Sequence, residues 1–182
     1  MAGDGAGGTS GSGGEGGEEP IAGAGGEGGL PEPPPPLLCN AIEDVPAACS
    51  CVDHNDHAYF FCTSSFSYGT VASLCGEYGL KLVKIDSFSE DEWIKGEVQA
   101  RGLDWPWIGA SSRTTPGTWT WPDGEVFWIG DSSGTSQGGN YEMWNAGHPG
   151  SASAASCAYV GQNGWDSDPN CSNNREWICE AY

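Results

Sequence analysis

The chain has 182 residues, enough for one domain with a tail or for two very small ones. It carries 25 acidic against 6 basic residues, a formal net charge of -19. That balance excludes nucleic acid and anionic membrane as partners, since both need Lys and Arg to displace counterions, and leaves open whether the acid serves solubility or supplies oxygens to a hard cation.

Eight cysteines, an even number at wide spacing, point to disulfides in an oxidising compartment rather than to buried thiols in a cytosolic protein. Against this, Met1 to Pro20 has neither the basic start nor the apolar run of a secretion signal. The two agree if the chain is a mature form or a fragment, or if its true start lies upstream. The Gly/Ser/Glu opening resembles the tether that follows the anchoring cysteine of bacterial lipoproteins. No stretch is long and apolar enough to form a transmembrane helix.

Fourteen glycines and no basic residue occupy residues 1–30, a composition that buries too little apolar surface to offset its conformational entropy. Together with the stiff polyproline spacer Pro31-Glu32-Pro33-Pro34-Pro35-Pro36, it predicts a disordered tether over 1–36. Residues 37–56 form a transition segment holding Cys39, Cys49 and Cys51, and a globular domain runs over 57–182.

Tyr59-Phe60-Phe61 predicts a buried strand. Val71, Leu74, Cys75 and Tyr78 fall at i, i+3, i+4 and i+7, which predicts a short helix opened by Thr70, closed by Gly79 and turning Cys75 to the core. Lys81 to Ile85 predicts a strand. Ser89-Glu90-Asp91-Glu92 has the form of a capping box ahead of Trp93, Ile94 and Val98, with Gly102 as the stop, and predicts a second helix. Short strands follow at Trp107-Ile108-Gly109 and Thr118 to Trp121, the latter before the turn Pro122-Asp123-Gly124. Gly130 to Ser156 is rich in Gly, Ser, Asn and Ala; a loop of that length in a compact domain is functional or disordered. Ala158-Tyr159-Val160 resumes strand character, Asn163-Gly164 signals a hairpin turn, and Trp177 to Glu180 closes the chain. Two helices followed by strands, without strict alternation, predict an α+β fold.

Ala72-x-x-Cys75, Leu80-x-Leu82-x-x-Ile85, Trp107-Ile108-Gly109, Trp119-x-Trp121-x-Asp123-Gly124, Trp144-x-x-Gly147-x-Pro149, Cys157, Trp165, Cys171 and Ile178-Cys179-Glu180 occur in the order seen in C-type lectin domains. On these motifs residues 57–182 are identified as a member of the C-type-lectin-like family, of bacterial type, with a low-complexity tether in front. The resemblance implies a C-type-lectin-like fold with two short helices, antiparallel sheets, a long loop region and chain ends paired in one sheet. It implies a bridge from Cys75 to Cys179, worth about 4–5 kcal/mol in the chain-entropy model, and one from Cys157 to Cys171 beneath the binding loops, worth about 3 kcal/mol. Trp107, Trp119, Trp121 and Trp165 alternate with polar neighbours and are expected in the core.

The other four cysteines allow three pairings. Similar proteins often carry an extra bridge at the entrance to the first strand, which favours Cys51 with Cys62 and Cys39 with Cys49. The alternative is a zinc site drawn from Cys49, Cys51, His54, His57 and Cys62, whose spacing matches no familiar zinc module.

In sugar-binding members of this family, a calcium ion held by oxygen ligands also bonds sugar hydroxyls. The ligands come from a Glu-Pro-Asn or Gln-Pro-Asp triplet in the long loop, a Glu shortly before the third bridge cysteine and an Asn-Asp pair before the fourth. A hard cation needs about six to eight oxygens. Here the triplet is His148-Pro149-Gly150, its proline expected cis; the Glu position is Ala155; and the pair is Ser167-Asp168, with Asp166 as an added carboxylate. Only Asp168 is retained as a metal ligand, so Ca2+ is not expected at the usual sugar site. Asp166, Asp168 and Glu142 remain as the makings of a weak, rearranged one. The candidate ligand-binding residues are Tyr141, Glu142, Trp144, His148, Asp166 and Asp168.

The function expected is an extracytoplasmic recognition module, secreted or tethered to the cell surface. Its partner would be a glycan, bound weakly with calcium or without it through Trp144, Tyr141 and Asn and Ser hydrogen bonds. The alternative is a domain that has lost sugar and calcium and binds a cell-surface protein. An ice-binding surface would need a flat array of threonines, which is missing. Catalysis is not expected: there is no Gly-x-Ser-x-Gly, no His-Glu-x-x-His and no carboxylate pair in an apolar setting. A tether of about 35 residues would hold one such domain away from a surface and let several copies act together.

Overall fold

The computed structural model describes residues 34–182, together with Gly3, Gly5, Gly7 and Gly8. The expected tether over 1–36 lies outside the described residues except for those glycines and Pro34 to Pro36. Residues 37–56 contribute a 3₁₀ turn, Cys39–Ala41, and β1 (Cys49–His54), which forms a hairpin with β2 (His57–Phe66). The two residues between the strands, Asn55 and Asp56, have φ of 48° and 64°. A two-residue hairpin loop needs that left-handed backbone, and Asn and Asp tolerate it better than most side chains.

The first helix, α1 (Tyr68–Glu77), is capped by Ser67, whose hydroxyl accepts from the Thr70 amide. Thr70 therefore lies in the first turn, not at the cap. Gly79 closes the helix as expected, with φ of 74°. The second, α2 (Phe88–Arg101), is capped by Ser87, which accepts from the Glu90 amide, while the Glu90 carboxyl reaches back to the Asp86 amide at 3.0 Å. The capping box is thus Ser87 to Glu90, two positions before the expected Ser89 to Glu92. Both serines satisfy the local rule equally; the earlier frame turns Glu90 and Asp91 inward, where each finds buried partners. Gly102, at φ of 66°, ends the helix.

The remaining strands are β3 (Lys81–Leu82), β4 (Trp107–Ser111), β5 (Thr118–Thr120), β6 (Val126–Ile129), β7 (Thr135–Ser136), β8 (Cys157–Val160), β9 (Trp165–Asp168) and β10 (Arg175–Glu180). They order as β1-β2-β10-β4-β5-β6-β7, with β3 beside β10 and the β8–β9 hairpin set against β4. The two ends of the domain pair antiparallel, Glu180 opposite Tyr59 and Trp177 opposite Cys62. β10 and β4 run parallel, so the sheet is mixed. The α+β class and the two-helix fold expected from the motifs are what the chain adopts. Of the strand expected over Lys81 to Ile85 only β3 is regular, although the Val83 amide still donates to the Ile178 carbonyl at 2.9 Å. Trp107, Trp119, Trp121 and Trp165 are core residues, 0%, 2%, 3% and 0% exposed.

Two of the expected disulfides are present, Cys75–Cys179 and Cys157–Cys171. The other two are Cys49–Cys62 and Cys39–Cys51, which corrects the expected pairing of Cys51 with Cys62 and Cys39 with Cys49. Strand register decides it. Cys49 lies directly opposite Cys62 in the β1–β2 ladder with Cα atoms 4.0 Å apart, whereas Cys51 faces Phe60. Cys51 shares Cys49's face, and the 3₁₀ turn brings Cys39 to it, anchored by the Cys39 amide donating to Asp53 Oδ1 at 2.8 Å. With all eight cysteines bridged, the zinc alternative fails as well; His54 stacks on Trp93 at 3.9 Å and His57 contacts Glu180 at 2.6 Å.

A carboxyl pair is buried where α2 meets β2 and β10. The Tyr59 hydroxyl lies 2.8 Å from Glu90 Oε1 and 3.1 Å from Glu180 Oε1, and the two acids are 6% and 3% exposed. The expectation of no carboxylate pair in an apolar setting is thereby corrected: the acids lie on separate elements, and only their packing joins them. Burial pushes the Glu90 carboxyl up to about 7 and raises Glu180 as well, the latter against the hydrogen bond from His57. A group whose folded pKa is raised holds extra protons in the folded state, so stability falls as pH rises from 4.5 through about 7. Between about pH 5 and about pH 7.5 the unfolding free energy should drop by on the order of 2 kcal/mol, and Glu90→Gln should flatten that slope. Denaturant titrations of both proteins at the two pH values check this; an unchanged slope in the variant would assign the dependence to other groups.

Candidate functional site

The long loop region, residues 130–156, is fastened to the core near Tyr141 and Trp144. The Tyr141 hydroxyl donates to Asp91 Oδ2 at 3.2 Å, and its ring meets Trp165 edge-on at 5.8 Å. The Trp144 ring packs against Trp119, Phe127 and Trp165, with centroids 4.7, 6.1 and 5.8 Å away. Backbone bonds from Trp165 to the Met143 carbonyl and from Asn145 to the Trp165 carbonyl lock this stretch to β9. The hub is Asp91, 1% exposed at the start of α2. It accepts from Trp165 Nε1 at 2.8 Å and from Tyr141, and pairs with Lys95 Nζ at 2.6 Å.

Further along, the loop folds back onto β9 through His148, whose peptide bond to Pro149 is cis. His148 Nδ1 accepts the Ser167 amide at 2.9 Å, and the Ser167 hydroxyl accepts the Gly150 amide at 2.7 Å. An Nδ1 that accepts places the imidazole proton on Nε2, which faces Asp166 Oδ1 at 3.5 Å. The same Asp166 oxygen accepts from Asn145 Nδ2 at 2.7 Å. His148, Asp166 and Ser167 thus form one closed polar network between loop and strand.

Asp168, two residues on, belongs to a separate network. Its Oδ1 accepts the Asn170 amide at 2.7 Å; its Oδ2 accepts Asn173 Nδ2 at 2.8 Å and the Arg175 guanidinium at 3.0 Å. Burial works against the charge on Asp168, but the bonds from Asn173, Arg175 and Asn170 outweigh it and hold the carboxyl below its usual range. Arg175 in turn lies over Tyr159 at 3.8 Å and Trp107 at 5.0 Å. Among the described residues no three His, Cys, Asp or Glu side chains converge as a metal site.

Residues 64–181 match the family described as Lectin C-type domain, the stretch from β2 to the end of β10. The chain belongs to the C-type lectin domain family. This C-type lectin domain is 30% identical over 126 residues to CD209 antigen-like protein D of Mus musculus, covering 69% of this chain and 48% of that protein. It is 26% identical over 136 residues to C-type lectin domain family 10 member A of Homo sapiens, covering 71% of this chain and 38% of that protein. It therefore spans less than half the length of either relative. Among solved structures it resembles the mouse scavenger receptor C-type lectin carbohydrate-recognition domain, with a TM-score of 0.57, 22% identity and coverage of 75% and 94% of the two chains. A calcium-independent type II antifreeze protein superposes with a TM-score of 0.56 at 22% identity, over 76% and 95%. At such identities the likeness shows the fold.

Of the candidate ligand-binding residues of this C-type lectin domain, His148 and Asp166 come together, while Asp168 is drawn away to Arg175. Glu142 stands apart from both, its Oε2 near the Trp144 amide at 3.4 Å. Tyr141 and Trp144 face the core with partly buried rings. Sequence reasoning missed Asp91, Asn145, Ser167 and Arg175. Their residue types carry no local signal of these roles; for Asp91 the hint was its place beside Glu90 in a capped first turn. No helix among the described residues is long and apolar enough to cross a membrane.

Proposed function

We propose that this domain is an extracytoplasmic recognition module, secreted or held at a cell surface, that binds carbohydrate without calcium at the family's usual sugar site. The observation that carries the calcium half of this reading is the saturation of Asp168 by Asn170, Asn173 and Arg175. A guanidinium already neutralises the one retained metal ligand, and a hard cation needs about six to eight oxygens. His148 and Ser167 close on each other, and neither can turn outward without breaking the bonds that hold the loop. The residues present do not fit calcium. Membership of a lectin family supports the carbohydrate half, and four disulfides support an oxidising, exported setting.

A glycan array run with calcium and with chelator tests this. Chelator-resistant hits are expected, with no calorimetric heat on calcium addition to the parent protein or to Asp168→Ala. Hits that vanish in chelator would overturn it. A second reading, a protein ligand, is favoured by one observation: Tyr141 and Trp144, the loop aromatics that would stack on a sugar, are turned into the core. An array silent under both conditions would support that reading instead.

A further inference from the structure

Of the nine tryptophans only Trp105 is exposed, at 39%. Its backbone is left-handed, with φ of 56°, a region that bulky L residues occupy only against steric strain. Folding gains less from a ring left 39% exposed on a strained backbone than from the more deeply covered tryptophans, and such residues concentrate at functional sites. The ring is also oriented. Tyr159 meets it edge-on at 6.0 Å and 87°, and Tyr159 is itself clamped beneath Arg175.

Trp105 forms one wall of a cleft of about 530 Å³ between the end of α2 and the β8–β9 turn. Buried Val98, Leu103 and Val160 provide an apolar floor. Exposed Gln99 and Gln162 stand at the rim, and each carboxamide offers both donors and an acceptor. The charge in the cleft argues against an anionic ligand. The Lys95 ammonium that borders it is held by Asp91 at 2.6 Å and by Glu92 at 3.5 Å, while Asp104 adds a negative charge.

We propose that this cleft is a carbohydrate subsite for a neutral pyranose, whose C–H face stacks on the Trp105 indole while Gln99 and Gln162 bond its hydroxyls. An apolar surface flanked by a few placed polar groups is the usual form of a small-ligand site, and a pyranose presents the matching pair of surfaces. The subsite lies outside the His148 and Asp168 networks. It rests on the carbohydrate reading given above.

The test titrates the isotope-labelled full chain, in chelator, with neutral cellohexaose, neutral mannohexaose and acidic hexagalacturonate, following the Trp105 indole N–H signal. At least one neutral hexasaccharide should shift that signal saturably and hexagalacturonate should not. Trp105→Gly, which relieves the left-handed backbone, should melt no lower than the parent and lose affinity by about tenfold or more. Gln162→Ala, a surface change, should weaken binding in the same direction. Sugar binding that leaves the Trp105 signal unmoved and survives Trp105→Gly would overturn the subsite while leaving the carbohydrate reading intact. No response to any sugar, here or on the array, would overturn both.

Discussion

Replacing Cys75 and Cys179 together by alanine is expected to lower the unfolding free energy by about 4–5 kcal/mol. The bridge spans 104 positions and joins α1 to β10, so it encloses nearly the whole domain. Cutting it frees the unfolded chain far more than it loosens the folded one. The Cys157–Cys171 bridge spans only 14 positions, and the same reasoning assigns it about 3 kcal/mol. Small domains hold about 5–15 kcal/mol in all, so the first double variant should lose a larger share of its stability than the second. Urea unfolding of both variants at one pH, compared with the parent, measures the difference. Equal losses for the two bridges would show that native packing around the sulfurs, not loop length, sets their worth.

Asp91→Ala should cost about 3–5 kcal/mol and loosen the long loop in the same step. The substitution removes the acceptor of the buried Trp165 indole N–H and of the Tyr141 hydroxyl, and leaves the Lys95 ammonium with Glu92 alone at 3.5 Å. A buried donor left without an acceptor loses its hydration and gains nothing in return. Tyr141 is the loop's polar link to α2, so amide exchange should accelerate through residues 141–148 more than in the β2–β10 pair. Asp91→Asn keeps an acceptor for Trp165 while removing the charge that Lys95 meets, and should lose roughly half as much. A loss under about 1 kcal/mol for the alanine variant, with loop exchange unchanged, would show that the loop is held by the Trp144 packing and the backbone bonds to β9 rather than by Asp91.

These two expectations sit differently with respect to the sequence. The bridge from Cys75 to Cys179 was legible because the ordered motifs around both cysteines resemble a family whose ends are stapled there. The importance of Asp91 was not legible. Ser87 and Ser89 serve equally well as caps on local grounds, and only the choice of Ser87 turns Asp91 inward. The same limit applied to the β1–β2 cysteines. Spacing allowed any of three pairings, and the register that sets Cys49 opposite Cys62 arises only when the hairpin closes on Asn55 and Asp56.

At the loop site, the absence of the usual calcium triplet could be read directly from His148-Pro149-Gly150. What replaces it could not. Arg175 sits seven positions beyond Asp168, in the next strand, and nothing in either residue type announces that one neutralises the other. Tyr141 and Trp144 show the opposite error. Aromatic side chains in a polar loop suggest a ligand platform, yet the free energy of burying them against Trp165 and Trp119 turns them inward.

The sequence by itself determined the fold class, the family, two of the four bridges and the tryptophan core, because these depend on residue types and spacings that few arrangements satisfy. Tertiary structure alone decided the pairing of Cys39 with Cys51 and of Cys49 with Cys62, the burial of Glu90 beside Glu180, the clasp of Arg175 on Asp168 and the exposed ring of Trp105. Each of these depends on how separate elements pack, not on the local sequence of any one of them. Its energy comes from desolvation and register, which exist only once the sheet has closed.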